Sequence, residues 1–219
     1  MTDENEPIRV IVVDDHDLLR KGVRDLLTEH GLQVVGEASD GDDAVRLVAH
    51  AAPDVVVMDL NMPRMSGIEA TRRLARVSPT SRVLVLTVSA DDETVADAIE
   101  AGASGYLLKD ASGDEIASGV RAAAAGEALI SPRIAARLLE RMRPAEGAGV
   151  RGSGTGAELT DREVEVLRLL AAGNDNAAIA QELYISPRTV KNHISSILAK
   201  LHVDNRIQAA VYAVRKGLV

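Results

Sequence analysis

Four short apolar runs in the first half of the chain each end on residues able to handle a phosphoryl group or a cation. Asp14 and Asp15 follow Ile8–Val13, Asp59 follows Asp54–Met58, Thr87 follows Arg82–Leu86, and Lys109 follows Gly105–Leu108. Three carboxylates held together repel one another and raise each other's proton affinity unless a cation intervenes, so the set implies a bound divalent ion. Mg²⁺ suits it, because the ligands are hard oxygens and the ion works with few protein ligands plus water and phosphate oxygens. Lys109 and the metal would neutralise charge on a phosphoryl group in transfer, while the Thr87 hydroxyl donates to the same oxygens. Asp59, ending a central run, is placed to be the nucleophile, and an acyl phosphate on Asp59 is the expected product. One acidic residue at a strand end is usually just solvated; it is the joint set at successive run ends that carries the inference.

For these residues to meet, the runs must be neighbouring strands. They are Val- and Leu-rich and apolar on both faces, as buried parallel strands are, and a fifth run, Leu32–Ala38, has the same character. Between them lie stretches with helical spacing, such as Leu18, Leu19, Val23, Leu26 and Leu27. Five strand-helix alternations imply a doubly wound α/β sheet, which gathers functional groups outside the carboxyl ends of its strands. Pro53, Pro63 and Pro79 stand where a helix could not continue.

The pattern changes after residue 125. Ser131–Met142 is compatible with a helix, with Ser131 as N-cap and Pro132 at its first position, and Arg143–Ala157 reads as a Gly-rich linker. From Glu158 the periodicity is helical only, in four pieces: Asp161–Ala171, Asp175–Leu183, Pro187–Leu201 and Asn205–Lys216. Thr160 with Glu163 forms a capping box, and Ser186 with Pro187 a second helix start. Three segments result: 1–125, an α/β domain; 126–157, a linker with one helix; and 158–219, a small all-α domain.

Charge divides along the same lines. Residues 1–125 carry a net −11, whereas from Ser186 onward six basic residues face Asp204 alone. Nucleic acid, if bound, should meet that end. There is no Cys, which excludes disulfides and thiolate metal sites, and the five His lack metal-ligand spacing. The acidic N-terminus is unlike a secretory signal, and no apolar run approaches the roughly 18 residues that span a bilayer. A cytoplasmic protein with no membrane contact is the expectation.

The stretches VVDDHDLLRKG, VVVMDLNMPRMSG, VLVLT and AGASGYLLKD resemble the signature segments of a response-regulator receiver domain, over residues 8 to about 125. The resemblance implies a flavodoxin-like five-stranded fold and phosphoryl transfer from a sensor histidine kinase to Asp59. It implies Mg²⁺ held by Asp15, Asp59 and the backbone carbonyl of Asn61, with Asp14 assisting. Thr87 and Tyr106 match the family's switch pair, in which the hydroxyl moves toward the phosphoryl group and the ring turns inward. Two positions depart from the common pattern: Val88 is bulkier than the usual Ala, and Asp110 stands where many receivers have Pro. They bear on the lifetime of the phosphoryl group.

From Leu159 onward, LTDREVEVLRLLAAGNDNAAIAQELYISPRTVKNHISSILAKL resembles the LuxR-type helix-turn-helix, so the whole chain is similar to the NarL/FixJ class of response regulators. Val164, Leu167, Leu170, Ile179, Ala180, Leu183, Val190, Ile194, Ile197 and Leu201 would share one core. Pro187–Leu201 is then the helix that enters the major groove. Lys191, Asn192 and Ser195 match DNA-contacting positions, with Asn192 suited to adenine and Lys191 to guanine or phosphate. Arg188, Thr189, His193 and Lys200 would hold the backbone. Asp175, Ala177 and Ala178 depart from the polar pattern frequent around Asn176, which implies fewer phosphate contacts there. The last helix, with Val211 and Val214, is a candidate dimer contact.

The expected function is that of a non-enzymatic transcriptional regulator: phosphorylation of Asp59 changes homodimerisation and DNA binding, with RNA polymerase as a further partner. A Mg²⁺-dependent phosphohydrolase would use the same groups, but would want an Asp-x-Asp nucleophile motif on the first strand. A regulator whose receiver is purely structural is the other alternative.

Overall fold

The computed structural model describes residues 6–88, 92–127, 159–203 and 205–218. They belong to two compact units, within residues 1–134 and 135–219. The helix expected at Ser131–Met142 and the linker at Arg143–Ala157 lie outside the described residues.

The N-terminal unit contains β1 (Arg9–Val13), α1 (Asp17–Glu29), β2 (Gln33–Ala38), α2 (Gly41–Ala51), β3 (Val55–Met58), α3 (Gly67–Val77), β4 (Arg82–Thr87), α4 (Asp92–Glu100), β5 (Gly105–Leu108) and α5 (Gly113–Ala125). The strands form one parallel sheet in the order β2-β1-β3-β4-β5. Alternate strand residues serve two cores, as a sheet covered on both faces requires. Val10, Val12, Val55, Val57, Leu84 and Leu86 pack with Val23, Leu27, Ile116 and Val120 of α1 and α5. Their neighbours Ile11, Val56, Met58 and Val85 are buried too, as the pleat requires for the other face.

This strand order places β1 and β3 side by side with β2 on the far flank, the switch point at which open α/β sheets bind ligands. Val13 pairs with Met58, so Asp14 and Asp59 emerge next to each other. The register continues beyond the strand, where the Asp59 amide donates to the Val13 carbonyl at 2.9 Å.

The C-terminal unit is helical: α6 (Asp161–Ala171), α7 (Asn176–Glu182), α8 (Pro187–Leu201) and α9 (Arg206–Arg215). Each start has a side-chain cap, from Thr160, Asp175, Ser186 and Asn205 respectively, which satisfies amides that the helix leaves unpaired. The caps explain why α7 and α9 begin one residue later than their periodicity suggests. The core contains Val166, Leu167, Leu170, Ile179, Ala180, Val190, Ile194 and Ile197, joined by Ala209 and Ala213 of α9. One expectation fails here: Val164 is only half-buried, and the inward face of α6 carries Glu163 and Val166 instead. Glu163, Val166, Leu167 and Leu170 follow one helical stripe, about 50° from the phase that counting apolar residues alone selects.

Candidate phosphoryl-acceptor pocket and DNA-contact helix

The pocket is built by loops at the carboxyl ends of β1, β3 and β5. Asp14 is fixed by its own amide, which donates to the Ala38 carbonyl at 3.1 Å, and by its Oδ1, which accepts from the His16 amide at 2.8 Å. Behind Asp59 the chain doubles back so tightly that a Cβ at Gly67 would stand 2.0 Å from the Asp59 carbonyl oxygen. Only glycine fits that approach. In the same loop Arg64 adopts a left-handed φ of 64°, and its guanidinium meets the buried carboxylate of Asp40, the N-cap of α2. The segment that carries Asn61 is therefore held at both ends.

Asp14 and Asp59 are buried, and Lys109 lies between them, with Nζ 2.7 Å from Asp14 Oδ2 and 2.8 Å from Asp59 Oδ2. Burial by itself lowers the Lys109 pKa, but the hydrogen bonds and charges of Asp14 and Asp59 outweigh it and the pKa is raised. Lys109 is held at this point because its amide donates to the Thr87 carbonyl at 2.9 Å, extending the β4–β5 ladder. Ligand atoms of Asp14, Asp15, His16 and Asp59 lie within 4.8 Å of one another. The buried Asp15 Oδ1 accepts no hydrogen bond, although His16 Nδ1 lies 2.7 Å away outside hydrogen-bond geometry. The cluster thus holds three carboxylates, of which Lys109 pairs with two, while the third has a buried oxygen that accepts no hydrogen bond. A hard divalent cation fits that donor set and that charge deficit.

Thr87 and the Tyr106 ring are fully buried, so the ring is turned inward. Val88, beside Thr87, is 72% exposed. Asp110 is exposed as well.

On α8 the structure sorts the residues expected to face DNA. Arg188, Lys191, Asn192 and Ser195 are all exposed and follow i, i+3, i+4, i+7 spacing, so they form one outward stripe. The Thr189 amide donates to Ser186 Oγ at 3.1 Å, and the two hydroxyls are 2.8 Å apart, which ties Thr189 to the helix cap. His193 is half-buried. Lys200 is turned the other way, with Nζ donating to Glu163 Oε2 at 2.7 Å.

Glu163, a capping residue by sequence, also ties α6 to α8. Its carboxylate accepts from the Thr160 amide at 2.7 Å, from Ser196 Oγ at 2.6 Å and from Lys200. The bonds from Lys200, Ser196 and Thr160, in that order, depress its pKa to about 2. Next to it, Arg162 donates to the Leu183 carbonyl at 2.6 Å, just before the turn at Tyr184, whose φ is 55°. The first turn of α6 therefore grips the helix-turn-helix at the turn and near the end of α8.

Residues 10–121 match the family model of the response regulator receiver domain, and residues 157–213 match that of bacterial regulatory proteins of the luxR family. The chain is 45% identical over 217 residues to the transcriptional regulatory protein LiaR of Bacillus subtilis, covering 97% of this chain and 99% of LiaR. It is 43% identical over 207 residues to the DNA-binding transcriptional activator DevR/DosR of Mycobacterium tuberculosis, covering 94% of each. Among solved structures, the response regulator ChrA of a heme-sensing two-component system is 37% identical, with a TM-score of 0.53 over 97% of this chain and 99% of that one. Both halves of the fold, the acidic pocket between β1 and β3, and relatives matched from end to end agree: the chain belongs to the LuxR-type response regulators of two-component systems, transcriptional regulators with a receiver domain and a helix-turn-helix DNA-binding domain.

Proposed function

We propose that Asp59 accepts a phosphoryl group from a sensor histidine kinase and that this controls DNA binding through α8. The observation that carries the reading is Lys109 bridging Asp14 and Asp59 within a cluster whose remaining charge calls for a cation. Asp15, Asp59 and the Asn61 carbonyl would hold Mg²⁺, with Asp14 assisting; bound there, Mg²⁺ would offset charge on the phosphoryl oxygens. Asp59 attacks the phosphorus, the bond to the kinase histidine breaks, and Lys109 balances the developing charge. Thr87 donates to the phosphoryl oxygens, and Tyr106 is its switch partner.

At the output end, Lys191, Asn192 and Ser195 read bases, while Arg188, Thr189 and His193 hold phosphates. Lys200 would reach the backbone only by sharing its ammonium with Glu163. The phosphorylated protein acts as a homodimer, with Val211 and Val214 of α9 at the contact, and engages RNA polymerase at its promoters. Its place is the cytoplasm; among the described residues no helix is long and apolar enough to cross a membrane.

The test is labelling by acetyl phosphate or by a kinase, followed by DNA binding. Asp59→Asn should take up no label and should lose any phosphate-dependent change in DNA affinity. Full labelling of Asp59→Asn would refute the assignment, and equal DNA affinity of the labelled and unlabelled wild type would leave the receiver a structural role.

A further inference from the structure

We propose that Arg20 is a positioning residue of the acceptor pocket: its guanidinium holds the backbone carbonyl of Asp14 and thereby fixes the acidic pair that receives the divalent cation. The inference rests on the reading of the pocket given above.

Arg20 stands in the first turns of α1, and its side chain is 14% exposed. Nη1 donates to the Asp14 carbonyl at 2.7 Å, Nε donates to Glu37 Oε2 at 3.3 Å, and Nη2 meets Asp17. Glu37, near the end of β2, is held in turn by Arg24 Nη1 at 3.0 Å. One planar fork is therefore fixed on its other side by two carboxylates before it reaches the pocket. The carbonyl it grips belongs to the peptide that joins Asp14 to Asp15, and a planar peptide cannot turn its oxygen without swinging the residue that follows. Asp14 is already tied to β2 through its amide. With Arg20 the peptide is clamped from α1 as well, so both carboxylates leave the sheet in one fixed direction. Partners behind the ligands commonly govern metal affinity in this way.

Position and charge make opposite demands here, which renders the role testable. Arg20 is a cation beside a cation site, so on charge alone its removal should tighten binding of Mg²⁺. As a clamp, its removal should loosen it. Lysine keeps the charge but offers a point donor that cannot reach the Asp14 carbonyl, Asp17 and Glu37 as one fork.

The experiment is calorimetric titration of Mg²⁺ into the full chain at fixed ionic strength, for wild type, Arg20→Gln and Arg20→Lys, with folding checked by circular dichroism. Both variants should bind Mg²⁺ roughly tenfold more weakly. Acetyl-phosphate labelling at saturating Mg²⁺ should approach the wild-type maximal rate, with only the half-saturating Mg²⁺ concentration raised. Arg20→Gln binding as tightly as wild type, or more tightly, would overturn the inference; so would Arg20→Lys behaving as wild type, or a lowered maximal rate at unchanged affinity. If Arg20→Gln does not fold, Arg20→Lys alone decides. A wild type that takes up no Mg²⁺ would instead overturn the pocket reading, and this inference with it.

Discussion

Replacing Glu163 by Gln should uncouple the first helix of the DNA-binding unit from its recognition helix. The carboxylate takes four donors: Lys200 Nζ and Ser196 Oγ, both from α8, and the amide and Oγ1 of Thr160, the cap of its own helix. A carboxamide keeps one acceptor oxygen and turns an NH₂ group toward donors, so at least one of these bonds is lost and Lys200 loses the negative charge of Glu163. The shift from 4.5 to about 2 corresponds to about 3 kcal/mol at the limit. Solvent close to so small a domain screens that, leaving about 1–2 kcal/mol, or roughly 5–15 °C in the unfolding temperature of that unit. A depressed carboxylate pKa stabilises above the unfolded value and loses that contribution as pH falls through the folded value. The gap between wild type and Glu163→Gln should therefore be full at pH 6–7, shrink below about pH 4.5 and close near pH 2. Differential scanning calorimetry of the full chain reads this as a shift of one transition. A gap that keeps the same size down to pH 2.5, or one too small to measure at pH 7, would refute the reasoning.

Three further outcomes are expected. Gly67→Ala should destabilise the receiver by about 2–4 kcal/mol and abolish Asp59 labelling, since the new methyl would collide with the Asp59 carbonyl oxygen; near-wild-type denaturant curves would contradict this. His30 has its pKa raised by its bond to the Leu26 carbonyl and by Asp114, so it stabilises the α1–α5 junction below pH 6.5 and that contribution fades as pH rises through the folded value. The stability advantage of wild type over His30→Gln should accordingly fall between pH 6 and 8.5, and an advantage that grew would be the wrong sign. Asn192→Ala should cost about 1–3 kcal/mol of operator affinity and relax specificity at one base, whereas Lys191→Ala, if its contact is to phosphate, should lower the salt slope by about 1. Fluorescence anisotropy over a salt series separates the two.

What the sequence makes legible here is what depends on local period. The five strands and the helices Asp161–Ala171 and Pro187–Leu201 can be read from apolar spacing and caps, and the pocket residues follow because strand ends in a parallel sheet share one edge. The partner of a polar side chain is less legible. Glu163 announces itself as the fourth residue of a capping box, but that its carboxylate also reaches Ser196 and Lys200, more than thirty residues on, depends on how α6 crosses α8. The same ignorance assigns Val164 to the core, because a count of apolar residues does not register a buried Glu on the inward stripe, and it leaves the bond from Lys200 to that Glu unseen. Arg20, read locally, is one more charge on the solvated face of α1. Its role appears only when the Asp14 carbonyl and Glu37 are seen within reach.

The placement of Lys109 also limits how the two ends of the molecule can communicate. In the unphosphorylated pocket its ammonium is shared almost equally, at 2.7 Å from Asp14 and 2.8 Å from Asp59. Phosphorylation of Asp59 would replace one negative charge by about two and move the charge outward onto the phosphoryl oxygens. Lys109 would be drawn toward them and away from Asp14. The Lys109 amide is hydrogen-bonded to the Thr87 carbonyl and Lys109 follows β5, so any such movement would act on the strands that carry Thr87 and Tyr106, the proposed switch pair. Asp14 cannot follow it, since the β2 ladder, the His16 amide and Arg20 hold its backbone and side chain. The pocket thus has a fixed side at β1 and a side at β4–β5 that can respond, and a signal that leaves it would leave through β4, β5 and the helices that follow them.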